Sequence, residues 1–96
     1  MAVQTSMDTP FSIHVGYVGE DPGRPIDVSV SNPDVANIQP HPGYPGDYHW
    51  VMVTPVAPGA YVVGIFDGVI RGALPEMVVV PPGVAPPLAD FEVVLG

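Results

Sequence analysis

Apolar and polar residues alternate with a period of two through several stretches of this chain. In the segment 11–18, every second position is apolar or aromatic: Phe11, Ile13, Val15 and Tyr17. The segment 26–31 repeats the pattern with Ile26, Val28 and Val30. Because successive side chains of a β-strand point to opposite faces of the sheet, both segments are predicted to be strands with one buried face.

Turn-forming sequences separate further apolar segments. Short runs rich in Val, Ile and aromatic residues predict additional strands at 35–39, 48–54, 60–66, 69–74, 76–80 and 91–95. The segment 60–66 is apolar almost throughout, which indicates a strand covered on both faces. Asp67-Gly68 is typical of a two-residue hairpin turn, whose central positions need positive φ. It predicts that the segments 60–66 and 69–74 pair with each other.

The amino-acid composition, taken together with these predicted strands, indicates the fold class. The 96 residues include 14 Pro and 11 Gly, and 47% of them are apolar. Pro and Gly at this density interrupt helices every few residues, while the high apolar share argues against disorder. The chain is therefore predicted to be all-β, with one small core. We expect a flexible or docking arm at 1–10, a sandwich at 11–80, and a Pro-rich extension with a terminal strand at 81–96.

Two short sequences carry a resemblance to a known family. Ser31-Asn32-Pro33-Asp34-Val35-Ala36 follows one predicted strand, and Val56-Ala57-Pro58-Gly59-Ala60-Tyr61 opens a long strand that closes on Asp67-Gly68. This succession, which covers about residues 26–82, resembles the bacterial Ig-like domains. The resemblance implies an immunoglobulin-like β-sandwich of seven to eight short strands that serves as a structural or binding module. The loop at 40–48, the arm and the extension depart from the family pattern, so the protein's own function is expected there.

The charge balance excludes several classes of partner. Two Arg and no Lys oppose ten carboxylates, which gives a formal net charge of −8 at pH 7. Such a chain cannot supply the cationic contacts that drive nucleic-acid binding, and anionic membranes are disfavoured for the same reason. A protein with a basic surface is the partner that this charge complements. The chain has no Cys, so disulfides and thiolate sites are excluded.

The sequence offers little chemistry for catalysis or for metal binding. The three histidines lack the short spacing that is typical of zinc ligands: His14, His41 and His49. Asp34, Asp47 and Asp67 lie in predicted turns, where aspartate usually accepts hydrogen bonds from its own backbone. No serine lies in a Gly-x-Ser-x-Gly sequence. We therefore expect a non-enzymatic protein without a metal or another cofactor.

Aromatic residues supply the candidate binding positions. Trp50, the single tryptophan, is expected to lie between the two sheets, as in many Ig-like sandwiches. Tyr44 lies between Pro-Gly and Pro-Gly on a stiff loop. Its ring either remains exposed, where it would lose little entropy on binding, or folds back over the end of the sandwich. His41 belongs to the same loop, and Phe91 begins the terminal strand. Tyr44, His41 and Phe91 are therefore the candidate partner-binding residues.

Two functions are compatible with these observations. The first is a virion protein, most concretely a decoration or cement protein that docks on the capsid of a tailed bacteriophage. The N-terminal sequence MAVQTSMDTP lacks the basic start and the apolar core of a secretory signal, which favours assembly in the host cytoplasm. The second is an Ig-like module of a bacterial cell-surface or adhesion protein that acts as a spacer or ligand binder.

Overall fold

The all-β prediction is confirmed. A computed structural model describes residues 2–44, 46, 47, 49–85 and 90–96, and these residues form ten strands and no helix. The strands are β1 (Val3–Ser6), β2 (Phe11–Tyr17), β3 (Asp27–Val30), β4 (Ala36–Pro40), β5 (Trp50–Pro55), β6 (Gly59–Tyr61), β7 (Val63–Phe66), β8 (Arg71–Ala73), β9 (Met77–Val80) and β10 (Phe91–Leu95).

The described strands correspond closely to the eight that the sequence predicts. The two additional strands arise because β1 lacks the alternating signal and because the predicted strand 60–66 is interrupted at Val62. Parts of four predicted segments lie outside the described residues: residue 1 of the arm, residues 45 and 48 of the loop, position 48 of the strand 48–54, and 86–89 of the extension.

One layer of the sandwich is a four-stranded sheet. Its strand order is β10-β2-β5-β4, in which β5 pairs antiparallel with both β2 and β4, whereas β10 runs parallel to β2. The other layer contains two three-stranded sheets with the orders β1-β9-β6 and β3-β7-β8. At the edges of the layers, β3 lies beside β4 and β8 lies beside β10.

A β-bulge joins the two three-stranded sheets into one long hairpin. Tyr61 pairs with Met77, and Gly64 pairs with Ala73. Between these pairs, the two residues 62 and 63 therefore oppose the three residues 74–76. Pro75 lies in this bulged stretch, where its missing backbone N–H does not interrupt the ladder of hydrogen bonds between the strands. The additional residue also resets the alternation, so that buried positions on both sides of the bulge face the same core: Leu74, Met77 and Val79.

Ser31 stabilises the interruption on the other strand of this hairpin. Its backbone N–H donates to the carbonyl of Val62 at 2.9 Å, and its Oγ accepts from the Val62 N–H at 2.9 Å. Ser31, in the turn after β3, therefore provides a hydrogen-bond partner for each backbone polar group of Val62. This is the position at which β6 ends and β7 begins.

The two sequences that carry the family resemblance contact each other in space. The carbonyl of Val35 accepts hydrogen bonds from the backbone N–H groups of Val56 (2.8 Å) and Ala57 (3.3 Å). Gly59 packs against the same residue, with φ at 145°, and a Cβ on Gly59 would lie 2.9 Å from Cγ2 of Val35. Both the backbone conformation and the close approach therefore require glycine at this position.

The N-terminal segment is part of the sandwich, which differs from the expected flexible arm. The strand β1 runs parallel to β9, and its Thr5 side chain is fully buried. The Thr5 Oγ1 lies 3.0 Å from the phenolic oxygen of Tyr61, so each buried hydroxyl has a partner. Ser6 and the backbone of Ala85 exchange two hydrogen bonds, at 3.1 and 3.2 Å. The expectation of an arm failed because Thr5 and Ser6 are polar residues that the fold buries.

The predicted terminal strand is also integral to the fold. Residues Phe91–Leu95 pair in parallel with Ile13–Tyr17, and Leu95 is only 2% exposed. The Leu95 side chain fills the space that Gly72 leaves, where a Cβ would lie 2.8 Å from Cδ2 of Leu95. The strand β10 therefore forms one edge of the four-stranded sheet.

The predicted pairing of the segments 60–66 and 69–74 is confirmed, but the predicted two-residue turn is wrong. Phe66 pairs with Arg71, so the loop contains the four residues 67–70, and φ is positive at Gly68 (94°) but not at Asp67. A buried carboxylate closes this loop. Oδ1 of Asp67 accepts hydrogen bonds from the backbone N–H groups of Val69 (2.8 Å) and Ile70 (2.6 Å). An aspartate that bonds its own turn is the interpretation that the sequence favoured over calcium.

The second oxygen of Asp67 binds two other parts of the chain. Oδ2 accepts hydrogen bonds from the Tyr17 hydroxyl at 2.7 Å and from Nε of Arg24 at 3.0 Å, and Nη2 of Arg24 lies 2.9 Å away. Although the Asp67 side chain is fully buried, its pKa is lowered. Desolvation by burial raises this pKa, but the hydrogen bonds from Ile70, Tyr17, Val69 and Arg24 together outweigh it.

This carboxylate should make the stability of the fold depend on acid pH. Because the folded pKa of Asp67 is depressed, its contribution is fully present above the unfolded-state value of about 3.9 and is lost as the pH falls towards the folded value. We therefore expect the melting temperature to fall below about pH 4. In D67N, the melting temperature at neutral pH should be lower and this part of the pH dependence should disappear. Thermal melts of both proteins from neutral to acid pH measure the difference, and identical slopes would contradict the assignment.

Removal of residues 2–6 should destabilise the whole sandwich, because the deletion uncovers β9 and leaves the Tyr61 hydroxyl without Thr5. We expect the melting temperature by circular dichroism to drop by at least about 10 °C, the equivalent of about 2 kcal/mol in a domain of this size. Deletion of Ala2 alone is the control and should change little. An unchanged melting temperature in the longer deletion would mean that β1 behaves as the expected arm.

Candidate protein-binding surface

The outer face of the four-stranded sheet carries a group of polar and aromatic side chains. In this sheet, Ile13 pairs with Val51 and faces the core. The neighbouring register pair, His14 and Trp50, therefore points away from the core. Ser12, which pairs with Met52, shares that outer face. The surface is thus built from alternate positions of two adjacent strands.

The loop after β4 folds back over this face. Nε2 of His41 lies 2.9 Å from Oγ of Ser12, and Nδ1 of His41 accepts the backbone N–H of Gly43 at 2.9 Å. An accepting Nδ1 places the proton of the neutral ring on Nε2, so His41 donates to Ser12. The imidazole therefore joins the beginning of the loop to β2 through Ser12 and to the backbone of the loop itself through Gly43.

The folded loop completes a cluster of four rings, His14, His41, Tyr44 and Trp50, which we call the aromatic cluster. The rings of Tyr44 and Trp50 are stacked, with centroids 4.4 Å apart and an interplanar angle of 12°. His14 lies 4.6 Å from Trp50 on the sheet. His41 meets Tyr44 and Trp50 edge-on, at 5.1 and 5.6 Å. Tyr44 nevertheless remains 45% exposed, so the cluster presents an aromatic face to solvent.

The expectation that Trp50 lies between the sheets is wrong. Trp50 is half-buried on the outer face, and the core positions of β5 are Val53 and Pro55. The pairing with β2 determines which residues of β5 face inward, because Val51 and Val53 pair with Ile13 and Phe11 on the inner face. Only one of two adjacent strand residues can point inward, and the register with β2 selects Val51 over Trp50.

The structure brings together two of the three predicted binding residues. Tyr44 and His41 are neighbours in the aromatic cluster. Phe91 lies elsewhere: it pairs with the core residue Ile13 in register, is half-buried, and packs edge-on against Phe11 at 5.5 Å. Sequence analysis did not place His14 and Trp50 among the binding residues, because their contacts with the loop depend on long-range strand register.

Carboxylates surround the aromatic cluster. Oε2 of Glu92 lies 3.5 Å from Nδ1 of His14, and the Glu92 side chain is 70% exposed. On the other side, Oδ1 of Asp47 accepts the backbone N–H of His49 at 2.9 Å and lies 3.0 Å from its Nδ1. These bonds, the backbone one first, lower the pKa of Asp47. The cluster therefore lies in a negative field at neutral pH.

His49 links the site to the loop before β3. Its Nε2 lies 2.7 Å from Oδ2 of Asp21, a charge contact when the ring is protonated, although not an aligned hydrogen bond. Tyr17 contacts the His49 ring edge-on at 6.4 Å. Asp21 and Asp47 thus approach opposite nitrogens of one imidazole and do not converge on a common point.

An open groove adjoins Trp50 at the edge where β3 and β4 meet. It has a volume of about 340 Å³. Apolar side chains of both strands form most of its wall, and Gln39 and Asp47 are the polar side chains beside Trp50: the lining is Ile26, Val28, Ile38, Gln39, Pro40, Gly46, Asp47, Trp50 and Val51. The groove can therefore accept an aliphatic chain next to the aromatic cluster.

The contact between Ser12 and His41 has the wrong tautomer for nucleophilic catalysis. A general base must accept the serine proton on the nitrogen that faces the hydroxyl, whereas Nε2 of His41 carries the proton in the neutral ring. The group on Nδ1 is a backbone donor instead of an orienting carboxylate. Within the described part of the chain, no group of three or more His, Asp or Glu side chains is placed to hold a metal ion.

Comparison with known proteins gives no family assignment: no protein-family model matches the chain, and no curated protein sequence matches it. None of the described residues belongs to a helix long and apolar enough to cross a membrane.

The outer position of Trp50 predicts a modest effect on stability. Trp50→Ala removes stacking with Tyr44 and His14, so we expect a loss of about 1–2 kcal/mol. Tyr61→Ala is the matched comparison, since it empties a fully buried site and should cost about 3–5 kcal/mol. Urea unfolding of both variants measures the two values. A larger loss of unfolding free energy for Trp50→Ala than for Tyr61→Ala would indicate that Trp50 lies in the core.

Proposed function

We propose that this chain is a non-enzymatic structural and binding protein that docks on a larger protein assembly through the aromatic cluster. The observation that carries the proposal is the exposed stack of Tyr44 on Trp50. The loop that presents Tyr44 is already fixed by His41, so little conformational entropy is lost when a partner binds. Tyr and Trp are also the residues that contribute most often to the energetic centre of protein interfaces.

The most concrete form of the proposal is a decoration protein on the capsid of a tailed bacteriophage, located in the virion. The resemblance of residues 26–82 to bacterial Ig-like domains supports it, together with the small single core. The net charge of −8 supports a partner with a basic surface, and it argues against nucleic acid and anionic membranes. The alternative within the same fold class is an Ig-like module of a bacterial cell-surface protein.

The termini are not proposed as the attachment surface. Val3–Ser6 and Phe91–Leu95 are strands of the sandwich, and Thr5 and Leu95 are buried. Any loss of binding after deletion of either strand would therefore reflect unfolding. The outer face of the four-stranded sheet can be altered without this complication, since its side chains point away from the core.

Tyr44→Ala should weaken attachment without unfolding the protein. We expect at least a tenfold loss of affinity, which corresponds to about 1.4 kcal/mol. Binding is measured by co-sedimentation with capsids assembled without this protein, from the phage whose genome carries the gene. The matched control is Val69→Ala, which shortens a side chain that is 68% exposed on a different loop. Circular dichroism verifies that both variants are folded.

Two outcomes would contradict the proposal. Equal binding by Tyr44→Ala and the intact protein would mean that the aromatic cluster is not part of the interface. Failure of the intact protein to bind capsids would favour the cell-surface module over the decoration protein.

A further inference from the structure

Neither arginine of the chain serves its own aromatic cluster. The cationic side chains of the protein are two arginines, and it has no lysine. Arg24 pairs with the buried Asp67. Arg71 lies over the Phe66 ring, with its Cζ 4.3 Å from the ring centroid. Both guanidinium groups are therefore engaged on other parts of the molecule.

The cluster has the electronic character that attracts a cation. Aromatic rings carry negative charge on their faces, and Trp and Tyr have the strongest attraction among the side chains. Tyr44 lies on Trp50 and is 45% exposed, so part of this electron-rich surface faces solvent. The contact between Arg71 and Phe66 is an example, within the same molecule, of the interaction that such a face can make.

Two exposed carboxylates add charge at the margins of the cluster. Glu92 is 70% exposed beside His14, and Asp47 is 42% exposed beside Trp50 in the groove. A guanidinium that stacks on Tyr44 would be attracted by the charge of these carboxylates, and its donors, which lie in one plane, match the geometry of a carboxylate. An ammonium group would gain the charge attraction but not the planar stacking.

We infer that the aromatic cluster is a binding site for an arginine side chain of the partner protein, with Tyr44 as the stacking surface. This inference rests on the proposed function and specifies the chemistry of the partner. The methylene groups of the arginine, or a neighbouring aliphatic residue, would occupy the apolar groove beside Trp50. The partner surface is accordingly basic, as the charge of the whole chain also favours.

The experiment uses Trp50 as an intrinsic reporter, since it is the single tryptophan. The probe is an acetylated hexapeptide of alternating Arg and Gly, titrated into the intact protein while Trp50 fluorescence is recorded. The matched peptide contains citrulline, a neutral analogue of arginine with nearly the same shape. We expect saturable binding of the arginine peptide, at least tenfold weaker binding of the citrulline peptide, and weaker arginine binding at higher salt. Isothermal titration calorimetry supplies the same constants independently of fluorescence.

Variants of one ring separate cation recognition from simple apolar contact. Tyr44→Phe keeps an aromatic face and should retain binding within about threefold. Tyr44→Leu keeps apolar area without the aromatic face and should lose about tenfold. Glu92→Gln should weaken binding severalfold. Asp34→Asn, which removes an exposed charge at the opposite end of β4, is its control and should have little effect.

The outcomes separate this inference from the function on which it rests. Equal affinity for the arginine and citrulline peptides, or full binding by Tyr44→Leu, would overturn the arginine site. If Tyr44→Ala still reduced attachment to capsids in that case, the cluster would remain an interface that recognises apolar surface. Arginine-peptide binding without capsid attachment would retain the arginine site and reject the decoration function.

Discussion

A single buried carboxylate holds one end of this sandwich together. Asp67 accepts hydrogen bonds from the turn of its own hairpin, from the end of β2 through Tyr17, and from the following loop through Arg24. A buried charge is tolerated only when its hydrogen-bonding capacity is filled, so these three segments depend on one another. The same loop carries Asp21, which reaches His49 next to Trp50. The orientation of the proposed binding surface is thus connected to the carboxylate through side-chain contacts.

Local patterns in the sequence were sufficient for most strands. The alternation at 11–18 and 26–31 and the Asp67-Gly68 turn each predicted a segment or a pairing that the structure contains. These features succeed because periodicity and turn chemistry act over a few residues. They failed at β1, where buried Thr5 resembles a solvent-exposed residue until its partner Tyr61 is known.

The candidate surface was predictable only in part, for a related reason. Tyr44 was identified because prolines and glycines on either side stiffen its loop. Its stacking partner was assigned to the core, since composition cannot tell which face of β5 carries Trp50. That assignment needs the register between β2 and β5, and the position of His41 needs the contact with Ser12. Surfaces assembled from several strands are properties of pairing, which short sequence windows do not contain.

The bulge at 74–76 has a consequence for the fidelity of folding. Residues 77–80, Met-Val-Val-Val, are nearly repetitive, so a shift by one or two residues would present similar side chains to either neighbour. The long hairpin, however, combines two registers that differ by one residue. A slipped alignment that satisfied the half near Gly59 would misplace the half near Phe66. The bulge therefore selects one alignment of the hairpin, because only that alignment satisfies both registers at once.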